Sequence, residues 1–110
     1  MAEKFYFGKE LPVETVGEGV TRQILGYDEQ MMLVKVMFEK NAVGTAHAHP
    51  HEQVTYIVSG RYAFTNDGET KEVAAGDSLY FEPNVLHSTL CLEAGALIDV
   101  FTPCRKDFLT

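Results

Sequence analysis

Turn residues interrupt this chain at short, regular intervals, and that punctuation limits what it can fold into. Gly17 and Gly19, Gly26, Asn41 to Gly44, Ser59-Gly60, Asn66-Asp67-Gly68, Gly76-Asp77 and Pro83-Asn84 all carry turn chemistry. Between them lie short segments rich in Val, Ile, Thr, Tyr and Phe. Strands recurring every ~8–12 residues between turn signals indicate a sandwich or barrel. No segment holds a 3.6-residue apolar period long enough for a substantial helix. The expected class is all-β, with at most one short helical turn at the C-terminus. A chain of 110 residues fits one domain, residues 1–110, and can bury a core without disulfides.

The segments divide as follows. Thr21 to Leu25 and Met31 to Phe38 form an early pair around Gly26 to Gln30. Gln53 to Val58 and Tyr62 to Thr65 flank the Ser59-Gly60 turn, and Asn66 to Glu69 leads into Thr70 to Val73. Ser78 to Phe81, His87 to Leu92 and Ala96 to Thr102 complete the set. Pro103 stops the last strand, and Cys104 to Phe108 has room for one helical turn. Met31 to Met37 is apolar except for Lys35, which places it mid-sheet.

Charge narrows the partners. The net charge is −7, which argues against nucleic acid and against docking on an anionic membrane. It leaves an anionic small molecule open, because a metal and one Arg can reverse the field inside a pocket. Met1 to Gly8 lacks the apolar run of a signal peptide, and no stretch approaches the ~18 apolar residues of a membrane span. Cys91 and Cys104 form no Cys-x-x-Cys and read as free thiols, which fits a cytoplasmic location.

Four histidines occur in the chain. His47, His49 and His51 alternate, and Gln53 continues the spacing. Alternate residues of an extended strand face one side, so two imidazoles one residue apart reach a common ion. His87 opens a later strand directly after a turn, where a barrel could bring it beside the others. Neutral imidazoles suit divalent transition metals and leave positions for water or substrate. A solvated, His-rich loop is the alternative reading of the spacing alone.

These residues resemble the two motifs of the cupin superfamily. The first is Gly-x5-His-x-His-x3or4-Glu-x6-Gly, and Asn41, His47, His49, Gln53 and Gly60 fall at its positions. In the second, Gly76 matches the opening, Pro83-Asn84 stands where a Pro-Gly pair is usual, and His87 matches the ligand. Asn41 and Asn84 replace glycines, and Asn takes a left-handed turn conformation more readily than most residues. Cys91 replaces the usual final Asn, which is not a ligand. Gln53 replaces the ligand Glu. It still offers a carbonyl oxygen but no charge, unlike the two-His-one-carboxylate set that suits oxygen activation by ferrous iron.

The resemblance implies a jelly-roll cupin barrel holding one divalent metal ion (nickel, zinc, iron or manganese) through His47, His49, Gln53 and His87, with His51 on the rim. A narrower similarity covers Thr21 to Lys35, HAHPHEQVTYIVSGRY and CLEAGALIDVFTPCRKDFL. These segments are similar to the small cupins of pectin and alginate breakdown. That similarity implies ring opening and ketonisation of 4,5-unsaturated monouronates, with Asp99, Phe101 and Arg105 serving the active site. The residues agree in part: Asp99 is the one charged residue in Ala96 to Phe101, it shares a strand face with Phe101, and Arg105 lies just past the strand end. Small cupins often pair edges or faces, which implies a homodimer. A ferrous-iron cupin dioxygenase and a non-enzymatic sugar-binding or sensory cupin are the competing functions.

Overall fold

A computed structural model describes residues 4–110. The N-terminal segment read above begins with Met1 to Glu3, which lie outside the described residues. Among the described residues ten strands run in chain order: β1 (Glu14–Gly17), β2 (Val20–Tyr27), β3 (Met32–Phe38), β4 (Val43–His47), β5 (Glu52–Ile57), β6 (Arg61–Asn66), β7 (Glu69–Ala74), β8 (Ser78–Phe81), β9 (His87–Glu93) and β10 (Gly95–Thr102). They form a six-stranded sheet, β1-β2-β3-β10-β5-β8, and a four-stranded sheet, β4-β9-β6-β7. Every pairing is antiparallel. The expected all-β class holds. Beside the short C-terminal turn, at Lys106–Leu109, a second 3₁₀ turn lies at Gly8–Glu10. Among the described residues no helix is long and apolar enough to cross a membrane.

The turn residues act as their chemistry requires. Asp28 accepts the backbone N–H groups of Gln30 and Met31 through Oδ1, which turns β2 into β3. Asp67 and Gly68 both have positive φ, the demand of a tight hairpin turn, and join β6 to β7. Asn41 and Asn84 take φ of +72° and +65°, the left-handed conformation expected where they replace glycine. Gly60 has φ +86°, and a Cβ there would meet the Glu93 carbonyl at 2.5 Å. Only glycine lets that turn lie against the start of β10.

Two short strands escape the sequence reading. β1 and β4 are edge strands, and β4 carries Gly44 within a run that resembles a turn. Short, glycine-bearing strands are usual at edges, where long apolar runs would invite mispairing.

The core between the sheets includes Val20, Phe38, Ile57, Tyr62, Phe64 and Phe81. Burying such side chains contributes roughly 1.5–3 kcal/mol each. β3 lies between β2 and β10, so the Met31 to Met37 run is mid-sheet as expected. Both cysteines are free and buried, with Cys91 in this core. A second cluster of Met32, Val34, Phe101 and Cys104 closes one end of the six-stranded sheet. Between the two clusters the interior turns polar, and there the chemistry collects.

Candidate functional site

The chain leaves β4 at His47, crosses from the four-stranded to the six-stranded sheet, and enters β5 at Glu52. This corrects the expectation that His47, His49, His51 and Gln53 share one strand face. His47 ends β4, His49 lies in the crossover before Pro50, and Gln53 sits in β5. Proline after His49 disfavours helix there and keeps the crossing segment extended. His87 opens β9 directly opposite His47. The residues converge because two sheets meet at this point.

Ligand-capable atoms of His47, His49 and His87 all lie within 4.8 Å of one another. Each Nδ1 faces a backbone carbonyl: Thr45 at 2.7 Å from His47, His51 at 3.0 Å from His49, and Val85 at 3.0 Å from His87. In neutral rings these contacts place the proton on Nδ1 and leave a lone pair on each Nε2. Burial pushes the His87 imidazole down to about 4 and holds His49 below its ordinary value, so both are neutral at pH 7. Nε2 of His87 is buried without a hydrogen-bond partner. Nε2 of His49 faces Oε1 of Gln53 at 2.9 Å, so two lone pairs point at each other. A divalent cation among these atoms satisfies the orphan nitrogen and removes the repulsion, so the donor set fits a metal. His51 stands outside the cluster, half-buried, its ring 5.5 Å from that of His49.

Gln53 joins the imidazoles to Asp99. Its amide Nε2 donates to Thr55 Oγ1 at 2.9 Å and to Asp99 Oδ1 at 3.1 Å. The Thr55 hydroxyl donates to the same Oδ1 at 2.6 Å. These donors fix which end of the amide faces the imidazoles. They also occupy one carboxylate oxygen, and Oδ2 of Asp99 makes no hydrogen bond among the described residues. Asp99 and Thr55 are direct partners across β10 and β5, so the link is built into the sheet register.

Burial pushes the Asp99 carboxyl up to about 6, outweighing the Thr55 and Gln53 hydrogen bonds and the positive charge of Arg105. The surface that Asp99 exposes opens into the cavity, which leaves its charge poorly hydrated. In metal-free protein the fold therefore binds a proton more tightly than the unfolded chain between about pH 3.8 and 6. Wild-type stability should fall as pH rises through that window. Asp99→Asn removes the ionisation but keeps an acceptor for Thr55 and Gln53. Its advantage in unfolding free energy over wild type should grow by up to about 3 kcal/mol from pH 4 to 7, then level off. Urea titrations of both proteins across this range measure the gap, and a flat gap contradicts the buried-charge account.

Asp99, Phe101 and Arg105 line one cavity of about 250 Å³ together with His47, Gln53 and His87. Phe101 is buried and sets its ring edge-on to His49 at 5.6 Å. Arg105 is buried too, its guanidinium 5.0 Å from the Phe101 ring centre and 4.2 Å from that of Phe108. Nε and Nη2 of Arg105 donate to the Asp107 carboxylate at 3.1 and 2.9 Å. That contact holds the Asp107 carboxyl below its ordinary range. Nη1 makes no hydrogen bond among the described residues, and the side chain lines the cavity.

Sequence reasoning missed Thr55, Phe108 and Arg22 at this site. Thr55 follows Gln53 at alternate spacing on β5, a signal that could have found it. Arg22 follows Val20 at the same spacing on β2, a charge among inward-facing apolar positions.

Comparison with known proteins gives a consistent picture. The cupin domain family matches residues 34–101. The chain is 36% identical over 108 residues to the pectin degradation protein KdgF of Dickeya dadantii, covering 96% of this chain and 98% of that protein. Its fold is similar to that of an RmlC-like cupin from Shewanella frigidimarina, with a TM-score of 0.94, 44% identity, and 97% and 96% of the two chains covered. It is also similar to KdgF from a Halomonas species, with a TM-score of 0.91, 31% identity, and 96% and 98% covered.

Proposed function

This chain belongs to the cupin family, and from that premise we propose that it is a metal-dependent enzyme of pectin or alginate breakdown. It opens the ring of a 4,5-unsaturated monouronate and delivers the linear keto form. The observation that carries this reading is the convergence of His47, His49 and His87 beside Gln53, whose amide donates to Asp99, with Arg105 and Phe101 on the same cavity wall. Near full-length similarity to two KdgF proteins, one named for pectin degradation, supports it.

His47, His49, Gln53 and His87 would hold one divalent ion, and His87 presents its unpartnered Nε2 to it. When bound, the ion supplies Lewis acidity toward oxygen atoms of the substrate. The remaining work falls to the chain. Arg105 binds the substrate carboxylate through its free guanidinium end, a charge-assisted contact. Oδ2 of Asp99 takes the proton from the C1 hydroxyl as the C1–O5 bond breaks and the C1 carbonyl forms. The C5 oxygen keeps the electron pair of the broken bond. Asp99 then delivers the proton to C4, the C4–C5 double bond becomes single, and C5 becomes the ketone. The reaction is an isomerisation and needs no co-reactant. Burial raises this carboxyl above the usual carboxylate range in the metal-free protein, which favours its accepting a proton as well as releasing one. Phe101 packs on the sugar and excludes water.

Cavity size supports a single sugar ring. About 250 Å³ lies at the small end of ligand sites, which run to roughly 300–1,000 Å³. The amide at position 53, in place of a carboxylate, speaks against a ferrous-iron dioxygenase. For the assembly we favour a homodimer. Val54, Tyr56, Val58 and Tyr80 are exposed on β5 and β8 and just beyond β5, an apolar strip a second copy would cover. A cytoplasmic location remains part of the reading, consistent with the free thiols.

The test compares rates, because the ring also opens slowly in water. Metal-loaded protein should speed the decay of the conjugated alkene absorbance of unsaturated galacturonate or its alginate counterpart, with the keto product visible by NMR and no oxygen consumed. A spontaneous rate unchanged for both substrates, with several divalent metals, would falsify the enzymatic reading in favour of a sugar-binding cupin.

A further inference from the structure

Three arginines occur in the chain, and two of them line the cavity. Arg61, the third, is a surface residue paired with Glu72 and Glu93. Arg105 already has a role. Arg22 enters the same cavity from β2, two strands away from β10 in the six-stranded sheet, and its position calls for a separate account.

Arg22 is largely withdrawn from solvent, with side-chain exposure of 17%. Its guanidinium sits 3.8 Å from the centre of the Phe108 ring, the ring that Arg105 also contacts. Its one ionic partner among the described residues is Glu14, 3.5 Å from Nε, a long contact to a carboxylate that is itself 43% exposed. The two Nη groups make no hydrogen bond among the described residues. Its Nη donors are thus uncommitted within the fold and available to an acceptor in the cavity. The two arginines are also held differently. Arg105 has its Nε–Nη2 edge closed by Asp107, whereas Arg22 presents both Nη groups. Stacking on Phe108 fixes its plane without consuming a single N–H.

The sheet sets its distance from the reacting end. Arg22 pairs with Val36 on β3, and Val36 with Leu97 on β10. Arg22 therefore lies two strands, roughly 10 Å, from the strand bearing Asp99. The side chain reaches back across that gap: both guanidiniums lie on the Phe108 ring, 3.8 and 4.2 Å from its centre, so they stand within about 8 Å of each other and one hexuronate can meet both.

We propose that Arg22 is a substrate-binding residue: it meets the uronate beside Arg105, donating from its Nη groups to the ring hydroxyls, with Phe108 as the platform that holds both guanidiniums in place. This rests on the uronate reading of the cavity. It adds that two guanidiniums on one aromatic platform contact the same small acid sugar, which ties specificity to the C2 and C3 hydroxyls as well as to the carboxylate.

The experiment uses Arg22→Gln and Arg22→Lys in metal-loaded protein, with Arg61→Gln as a surface control. Turnover of unsaturated galacturonate gives kcat and KM. NMR titration with saturated galacturonate, which cannot undergo the reaction, gives binding alone. Arg22→Gln should raise KM and weaken galacturonate binding by tenfold or more, with kcat changed less than KM. Metal content and melting temperature should stay at wild-type values. Arg22→Lys should recover part of the binding, because it restores charge but not the fork. Equal galacturonate binding by wild type and Arg22→Gln overturns the inference and leaves the reaction standing. Failure of wild type to turn over either uronate overturns the reaction, and the titration then decides Arg22 by itself.

Discussion

Asp99→Ala should slow turnover of the unsaturated uronate by roughly 10²–10⁴-fold, the range expected when a positioned general acid–base is lost. The side chain is the one carboxylate in the lining of the cavity, and its Oδ2 is the oxygen left free by Thr55 and Gln53. No neighbouring group can take over the proton transfer between C1 and C4. Alanine does a second thing. It strips the acceptor from Thr55 and from the Gln53 amide, each a buried donor whose loss of partner costs about 1–3 kcal/mol. Gln53 is then free to rotate its carbonyl away from the imidazoles. Asp99→Asn separates the two effects, since it keeps an oxygen for both donors but cannot shuttle a proton. The asparagine variant should therefore lose rate on the same scale with metal content near one ion per chain. A rate within threefold of wild type in that variant removes Asp99 from the chemistry.

Replacing His49 and His87 together by alanine should abolish stoichiometric metal binding and, with it, catalysis. Two of the three convergent imidazoles disappear, and the remaining His47 and Gln53 cannot hold a divalent ion at micromolar concentration. The fold should survive. Val20, Phe38, Ile57, Tyr62 and Phe64 pack without either histidine. His87 does contact Phe81, at 4.5 Å between rings, so its removal should cost about 1–3 kcal/mol, the ordinary scale of a buried truncation. Elemental analysis of the purified variant, beside its circular dichroism and melting curve, reads both parts. Full metal occupancy in a folded double variant removes these histidines from the ligand set.

Much of the architecture was legible because strand chemistry is local. Met31 to Phe38, Ser78 to Phe81 and Ala96 to Thr102 declare themselves by apolar and β-branched runs between turn residues, and the strands lie within a residue or so of those limits. β1 and β4 did not declare themselves, because an edge strand needs only one partner and tolerates Gly17 and Gly44. His47, His49 and His87 do converge, but by a route their spacing did not reveal. Their alternation was read as one face of one strand, whereas the chain changes sheets between His47 and Gln53. The tie between Gln53 and Asp99 joins positions 46 residues apart, and only the pairing of β5 with β10 reveals it. Arg22 was hidden for a related reason: a charge on β2 looks solvated until the cavity behind it is known.

That tie also bears on how such a site could change its chemistry over time. A carboxylate at position 53 would complete the two-histidine, one-carboxylate set used for oxygen activation, and a single nucleotide change converts a Gln codon to Glu. The new carboxylate would lie against Asp99, whose Oδ1 now takes a hydrogen bond from the Gln53 amide at 3.1 Å. Two acids at that distance cannot both ionise cheaply, so one must keep a proton or turn aside. The short mutational route therefore carries an electrostatic penalty, which a neutral residue at position 99 would relieve. Substitutions at 53 and 99 should be strongly non-additive, each changing what the other is free to become.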